Sequence, residues 1–310
     1  MIEPPRKFVD PFVTAKGEKR AWVALNALET LWFNTGTLCN LTCAHCYIES
    51  SPKNDRLSYL SAAEVRAYLD EIAALGLPTR RVGFTGGEPF MNPELPPMLE
   101  DVLARGFRAL VLTNAMKPMW RHKGALLRLN EDWGERLVIR VSLDHYGARV
   151  HEEERGARSW QPSLDGLLWL ARNGFCVQVA SRRLSGESEG EIRRGFARLF
   201  AELGLVIDAA DPVALVIFPE MDAAAEVPEI TEACWGILGK SPAEVMCASS
   251  RMVVKRKDAA HPVVVACTLL PYDPRFELGR TLAEASGAVP LNHPHCAKFC
   301  VLGGGACSRG

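Results

Sequence analysis

Three cysteines stand within eight residues in Cys39-Asn-Leu-Thr-Cys43-Ala-His-Cys46, with three and then two residues between them. Thiols this close can form a disulfide knot, a zinc site or an iron–sulfur site. Zinc wants a fourth nitrogen or sulfur ligand, often from paired C-x-x-C units. Three thiolates in one loop suit a cubane cluster with one iron left open. A second string able to do chemistry is Gly86-Gly87-Glu88-Pro89. Adjacent glycines let a ligand approach the backbone, and Glu88 adds a carboxylate. Alone, the string could be an ordinary turn. A third group gathers near the C-terminus, where Cys247, Cys267, Cys296, Cys300 and Cys307 follow one another. Cys176 and Cys234 lie between the groups and read as small core residues.

The chain around these residues has 310 amino acids, of which 48% are hydrophobic. That is enough for one large α/β domain and a smaller one. With 36 basic and 37 acidic residues the net charge is -1, a balance that calls for neither nucleic acid nor an anionic membrane. No apolar run is long enough to span a bilayer. The start, Met-Ile-Glu-Pro-Pro-Arg-Lys, lacks a signal-peptide pattern. These features place the protein in the cytoplasm, where cysteines serve metals more often than disulfides.

The elements that must position these groups alternate in type. Residues 1–28 read as an extension, with Pro4, Pro5 and Pro11 breaking any helix. It is too short for a folded peptide-binding domain. Glu29–Thr35 reads as a strand that runs into the first cysteines. Ser61-Ala-Ala-Glu64 is a capping box opening a helix to about Leu75, ended by Gly76 and Pro78. Strands follow at Arg81–Thr85, Phe107–Thr113, Leu137–Asp144, Phe175–Arg183 and Val213–Phe218. Helices fit at Pro96–Arg105, Lys123–Asn130, Ser163–Arg172 and Glu189–Leu203. This alternation predicts a parallel sheet with helical crossovers, whose functional groups gather at the strands' C-terminal ends. The polar tips there are Asn114, Ser142, Asp144, Ser181 and Arg182. Glu152, Glu153 and Glu154 with Arg155 read as a solvated helix face and not as a site. Arg251–Lys255 and Val263–Ala266 read as a hairpin that brings Cys247 and Cys267 together.

The C-x-x-x-C-x-x-C loop after a first strand, followed some forty residues later by GGEP after another, resembles the radical S-adenosylmethionine (SAM) superfamily. The resemblance implies a partial (β/α)6 barrel. Cys39, Cys43 and Cys46 would hold a 4Fe–4S cluster whose open iron is chelated by SAM. Gly86, Gly87, Glu88 and Pro89 would hold the SAM ammonium group, and Ser142 and Asp144 the ribose hydroxyls. Asn114 and Arg182 would lie near the methionine carboxylate. His45 stands where the family places an aromatic side chain against adenine; its other reading is a plain loop histidine. Reduction of the cluster would cleave SAM to a 5′-deoxyadenosyl radical that takes hydrogen from substrate, with electrons from a flavodoxin or ferredoxin.

The C-terminal cysteines resemble the SPASM/Twitch extension of such enzymes, which carries auxiliary 4Fe–4S clusters. The likeness implies barrel residues 29–235 and an auxiliary-cluster domain at 236–310. Five cysteines, Pro262 where a glycine is usual and Leu302 where a cysteine is frequent imply one auxiliary cluster and not two. Cys247, Cys267 and Cys307 are its expected ligands, with Cys296 or Cys300 as the fourth. His295 beside Cys296 keeps zinc as an alternative. An auxiliary cluster implies oxidative modification of a peptide or protein. Thr268 stands where sulfatase-maturing relatives carry an aspartate base, which speaks against sulfatase maturation. Oxidation or rearrangement of a small metabolite is the competing enzyme reading. A non-catalytic iron–sulfur or metal-binding protein is the other alternative; it explains the cysteines but not the GGEP string.

Overall fold

Strands whose residues are apolar on both faces need cover on both faces, and that requirement shapes this molecule. The computed structural model describes residues 6–184, 186–219 and 226–307; Pro4 and Pro5 lie outside them. After a short strand β1 (Trp22–Val23), the chain runs β2 (Thr30–Asn34), α1 (Ala62–Ala74), β3 (Arg81–Thr85), α2 (Leu95–Ala104) and β4 (Arg108–Thr113). It continues through α3 (Lys117–Trp120), α4 (Lys123–Trp133), β5 (Leu137–Ser142), α5 (Ala148–Arg155), α6 (Trp160–Arg172), β6 (Cys176–Arg182), α7 (Glu189–Glu202) and β7 (Leu215–Phe218). The last part holds α8 (Cys234–Leu238), β8 (Ser250–Val254), β9 (Val263–Val265), β10 (Glu277–Gly279) and β11 (Val289–Pro290).

Strands β2 to β7 lie side by side and all parallel, the six-stranded partial barrel. Alternate residues point to opposite faces. Leu31, Phe33, Ala109, Val111, Ile139 and Val141 enter the core shared with the helices. Trp32, Leu110 and Val138 enter a second core on the inner face. Trp32 lies flat over β3 because residue 83 is glycine: a Cβ there would stand 2.3 Å from the indole. Helix α1 begins with the expected capping box, Ser61 accepting from Glu64 and Glu64 returning to the Ser61 backbone.

The C-terminal hairpin is not a separate sheet. β8 pairs in parallel with β2, and β9 and β10 follow antiparallel, so nine strands form one sheet in the order β10-β9-β8-β2-β3-β4-β5-β6-β7. β1 pairs with β11 across nearly the whole chain, which ties the arm to the C-terminal segment. That segment includes a π-helical turn, Cys296–Leu302, and packs Phe299 and Val301 into the inner core. Among the described residues no helix is long and apolar enough to cross a membrane.

Candidate active site

The cysteine loop and the glycine pair are packed against one another. Gly87 N donates to Gly36 O at 2.8 Å, and Glu88 N to Leu38 O at 3.1 Å. A Cβ at residue 86 would stand 2.4 Å from Gly36 O, and one at residue 87 would stand 2.2 Å from Leu38 O. Gly86 also has φ +138, a conformation that favours glycine. The glycines are therefore required first by the cysteine-bearing loop and not only by a ligand.

One cavity opens at the C-terminal ends of the strands. Cys39, Cys43 and Cys46 form one side, with His45 and Tyr47 between them; Thr85, Gly86 and Gly87 form another. Asn114, Ser142, Asp144 and Arg182 reach it from the tips of β4, β5 and β6, so four of the five polar tips meet there. The fifth, Ser181, is buried and donates instead to Asp144 O at 2.8 Å. The C-terminal segment closes the cavity with Leu269, Phe299 and Cys307.

Glu88 does not stand on this wall as the sequence suggests. It is 2% exposed, and its carboxylate lies behind the wall. It accepts from Thr113 Oγ1 at 2.7 Å, Asn114 N at 2.8 Å and Phe90 N at 3.2 Å, which pins the tip of β4 to the GGEP turn. Burial pushes its pKa up to about 7, against 4.5 for an ordinary glutamate. The folded protein thus holds this proton more tightly than the unfolded chain does. The resulting stability is full below pH 4.5 and is lost as pH rises through about 7. The gap is worth on the order of 3 kcal/mol. The Glu88→Gln variant cannot ionise there. Relative to it, wild type is expected to lose thermal stability between pH 5 and 7; parallel Tm profiles would contradict the assignment.

A buried ionic network sits beside the cysteines. Asp144 accepts from Arg155 Nε at 2.8 Å and Nη2 at 3.1 Å, and from Arg182 Nε at 3.2 Å and Nη2 at 2.9 Å. Burial alone would raise its pKa, but the Arg155 and Arg182 guanidiniums outweigh it and hold Asp144 below the usual carboxylate range. Arg182 Nη2 also donates to Glu154 Oε1 at 2.5 Å, and Nη1 to His45 O at 2.9 Å. Glu154 in turn accepts from His45 N at 3.0 Å and lies 2.7 Å from His45 Nδ1. The solvated-face reading of residues 152–155 therefore holds for Glu153, which is exposed, but fails for Glu154 and Arg155. Glu154 is 4% exposed, and Arg155 lines the cavity. Helix α5 lies across the mouth of β5, so its inner face points at the cysteine loop. The sequence signal was the i, i+3 pair His151 and Glu154, buried together on that helix.

The fit to a metal cluster can be tested on the thiols. All ten cysteines are free. Burial pushes Cys39 up to about 12 and raises Cys43 as well. Buried thiols stay neutral unless a cation is bound to them, and metal ligation deprotonates them outright. Among the described residues no three His, Cys, Asp or Glu side chains form a site for a single metal ion. Cubane ligands bind different irons and do not converge on one point. Ser50, on the same wall, is 4% exposed, and among the described residues its Oγ has no hydrogen-bond partner. The donor set and this polar atom fit a cluster with a polar ligand beside it.

The C-terminal cysteines divide differently from the expected ligand set. Cys247, Cys267, Cys296 and Cys300 line one small apolar cavity together with Met246, Phe276 and Leu291. Burial pushes Cys247 up to about 12 and Cys267 up to about 11, and carries Cys296 and Cys300 well above the ordinary thiol range. Cys307 lines the first cavity instead, where Thr268 Oγ1 lies 3.3 Å from its sulfur. Cys176 and Cys234 stay apart from both cavities and pack against the inner core.

Residues 33–194 match the Radical SAM superfamily. The antilisterial bacteriocin subtilosin biosynthesis protein AlbA of Bacillus subtilis is 32% identical over 143 residues, 46% of this chain and 30% of that protein. Mycofactocin maturase MftC of Mycobacterium ulcerans is 29% identical over 160 residues, 50% of this chain and 39% of that protein. The matched stretches thus span well under half of these curated relatives. Streptococcus suis SuiB bound to S-adenosylmethionine shares the fold with a TM-score of 0.59 at 11% identity, over 82% of this chain and 63% of that one.

Proposed function

The chain belongs to the radical SAM superfamily, and from that premise we propose that it is an oxidative peptide- or protein-modifying enzyme whose cavity holds a 4Fe–4S cluster on Cys39, Cys43 and Cys46 with SAM beside it. The observation that carries this reading is the meeting of those thiols, the Gly86–Gly87 backbone and four polar strand tips in one cavity. When bound and reduced, the cluster and SAM supply a 5′-deoxyadenosyl radical able to take hydrogen from substrate. The chain's own part is positioning. The Asp144–Arg155–Arg182–Glu154 network holds the cysteine loop and keeps the charges at the cavity balanced. Ser142, Asn114 and Ser50 offer hydrogen bonds, and Phe218, Leu269 and Phe299 exclude water from the far wall.

A second 4Fe–4S cluster is assigned to Cys247, Cys267, Cys296 and Cys300. Residues 236–310 form the unit that carries it, joined to the barrel through β8. A low-potential flavodoxin or ferredoxin in the cytoplasm is the assigned electron donor. Peptide chemistry is supported by the roles of AlbA, in bacteriocin biosynthesis, and MftC, a maturase. The test is anaerobic reconstitution followed by measurement of 5′-deoxyadenosine, with peptide pools and with peptide-free metabolite pools. Stimulation by peptides is expected. Stimulation by the metabolite pool alone would overturn the peptide assignment, and no release under any condition would overturn the enzyme reading.

The ligand assignment has its own test. The Cys307→Ala variant is expected to keep all of its iron, whereas Cys300→Ala is expected to lose about four irons per chain. The reverse result would move the ligand role to Cys307.

A further inference from the structure

Arg251 is 1% exposed and sits in the sheet on β8, opposite Leu31 of β2. Among the described residues its guanidinium is held by backbone carbonyls alone. Nη1 donates to Cys247 O at 2.6 Å and to Ser250 O at 2.8 Å, Nε to Ala285 O at 2.9 Å, and Nη2 to Gly287 O at 2.9 Å. Among the described residues no carboxylate pairs with it, and the groups near it that could become anions are the Cys247 and Cys267 thiols. A buried cation without an anion is costly, and a well-packed apolar side chain in its place is often neutral or stabilising. Its guanidinium bonds to the backbone of Cys247, one of the four cysteines that line the second cavity, and an anion held there would supply the missing counter-charge.

The contrast with the first cavity is informative. There Arg155 and Arg182 face Asp144 and Glu154, so two cations meet two anions. At the second site no side-chain carboxylate among the described residues balances Arg251, and guanidinium keeps its charge in proteins. Cluster potentials respond to nearby charge, burial and hydrogen bonding. An adjacent fixed cation stabilises the more negative, reduced state.

We propose that Arg251 is the built-in counter-charge of the C-terminal cluster and sets its reduction potential by holding a buried positive charge against the Cys247 carbonyl. Arg251 touches no substrate; it is a positioning residue that acts through Cys247 and Cys267. The proposal rests on the assignment of a redox-active cluster to Cys247, Cys267, Cys296 and Cys300.

The test uses the full chain with Cys39, Cys43 and Cys46 replaced by alanine, so that the C-terminal site is read alone. Iron content and zinc are measured first, then the midpoint potential by electron paramagnetic resonance during a mediated titration. Arg251→Gln is expected to keep its iron and to lower the potential. At the parent's midpoint the ratio of reduced to oxidised cluster should fall about tenfold, which is about 59 mV for one electron. Arg251→Lys should stay near the parent value. A gentler variant guards against misfolding of the first: Gly287 has φ -62 and ψ 158, and a Cβ there would meet nothing within 4 Å. Gly287→Asp adds a carboxylate, in open space, on the residue whose carbonyl accepts from Arg251 Nη2. It should lower the potential by a smaller amount, while Gly287→Asn should not. Unchanged potentials in iron-loaded Arg251→Gln or Gly287→Asp would overturn the role of Arg251. A parent that holds zinc or no iron would overturn the cluster assignment and, with it, the proposal.

Discussion

A variant with Cys39, Cys43 and Cys46 all changed to alanine is expected to lose about four of about eight irons per chain and all release of 5′-deoxyadenosine. The three thiols line the wall of the first cavity, whereas the four C-terminal cysteines line another, built by the turn before β8, the segment after β9 and the turn at Cys296–Leu302. The second site should therefore fill independently. The loop also owes its shape to backbone bonds that alanine keeps: Cys39 N donates to Ser51 O, Ala44 N to Glu154 O, and Glu49 N to Cys46 O at 2.9 Å. The alanine variant should accordingly stay folded, with an unchanged far-ultraviolet circular dichroism spectrum. Measurement is by iron and sulfide assay and by chromatography of the nucleoside product. Residual turnover would mean that the radical chemistry starts elsewhere. A total loss of iron would mean that the C-terminal cysteines hold no cluster of their own.

Much of this arrangement was legible in the sequence because it is local. Strand Arg81–Thr85 and the capping box at Ser61 follow from period and spacing over a few residues. The cysteine loop and GGEP were readable as motifs, and four polar tips reached the cavity as strand ends in a parallel sheet should. What the sequence left hidden is long-range. Nothing local indicates that β8 adds to β2, that β1 pairs with β11, or that Cys307 lines the first cavity while Cys296 and Cys300 line the second. Glu154 and Arg155 were missed for a related reason. A run of three glutamates normally faces water, and here the short helix α5 is laid over the strand ends, so two residues that look like surface become the buried support of the cysteine loop. Glu88 shows the converse. Its motif was visible, but its three hydrogen-bond partners, on β4, on Asn114 just beyond it and on Phe90, depend on how two strands dock.

The other large effect is expected at Asp144. It is 2% exposed and accepts four hydrogen bonds from two guanidiniums, which themselves are nearly buried. Removing one member of a buried ion network leaves uncompensated charge, at about 3–5 kcal/mol. Asp144→Ala would leave Arg182 with Glu154 and Arg155 without a carboxylate partner among the described residues. The expected result is a fall in Tm of roughly 10 °C, with SAM cleavage lost because Arg182 also holds the His45 carbonyl in the cysteine loop. Asp144→Asn keeps the shape and removes the charge, so it separates electrostatics from packing. The pH dependence fixes the sign. The folded pKa of Asp144 lies below its ordinary 3.8, so its contribution is full above pH 3.8 and is lost only as pH falls below that value. The Tm gap between wild type and Asp144→Asn should therefore stay constant from pH 5 to 8 and shrink in acid. Over the same range Glu88 acts in the opposite direction, since its contribution is lost on raising the pH. A wild-type to Asp144→Asn gap of less than about 1 kcal/mol, the size of an exposed pair, would mean that solvent screens the network and that another contact holds the cysteine loop in place.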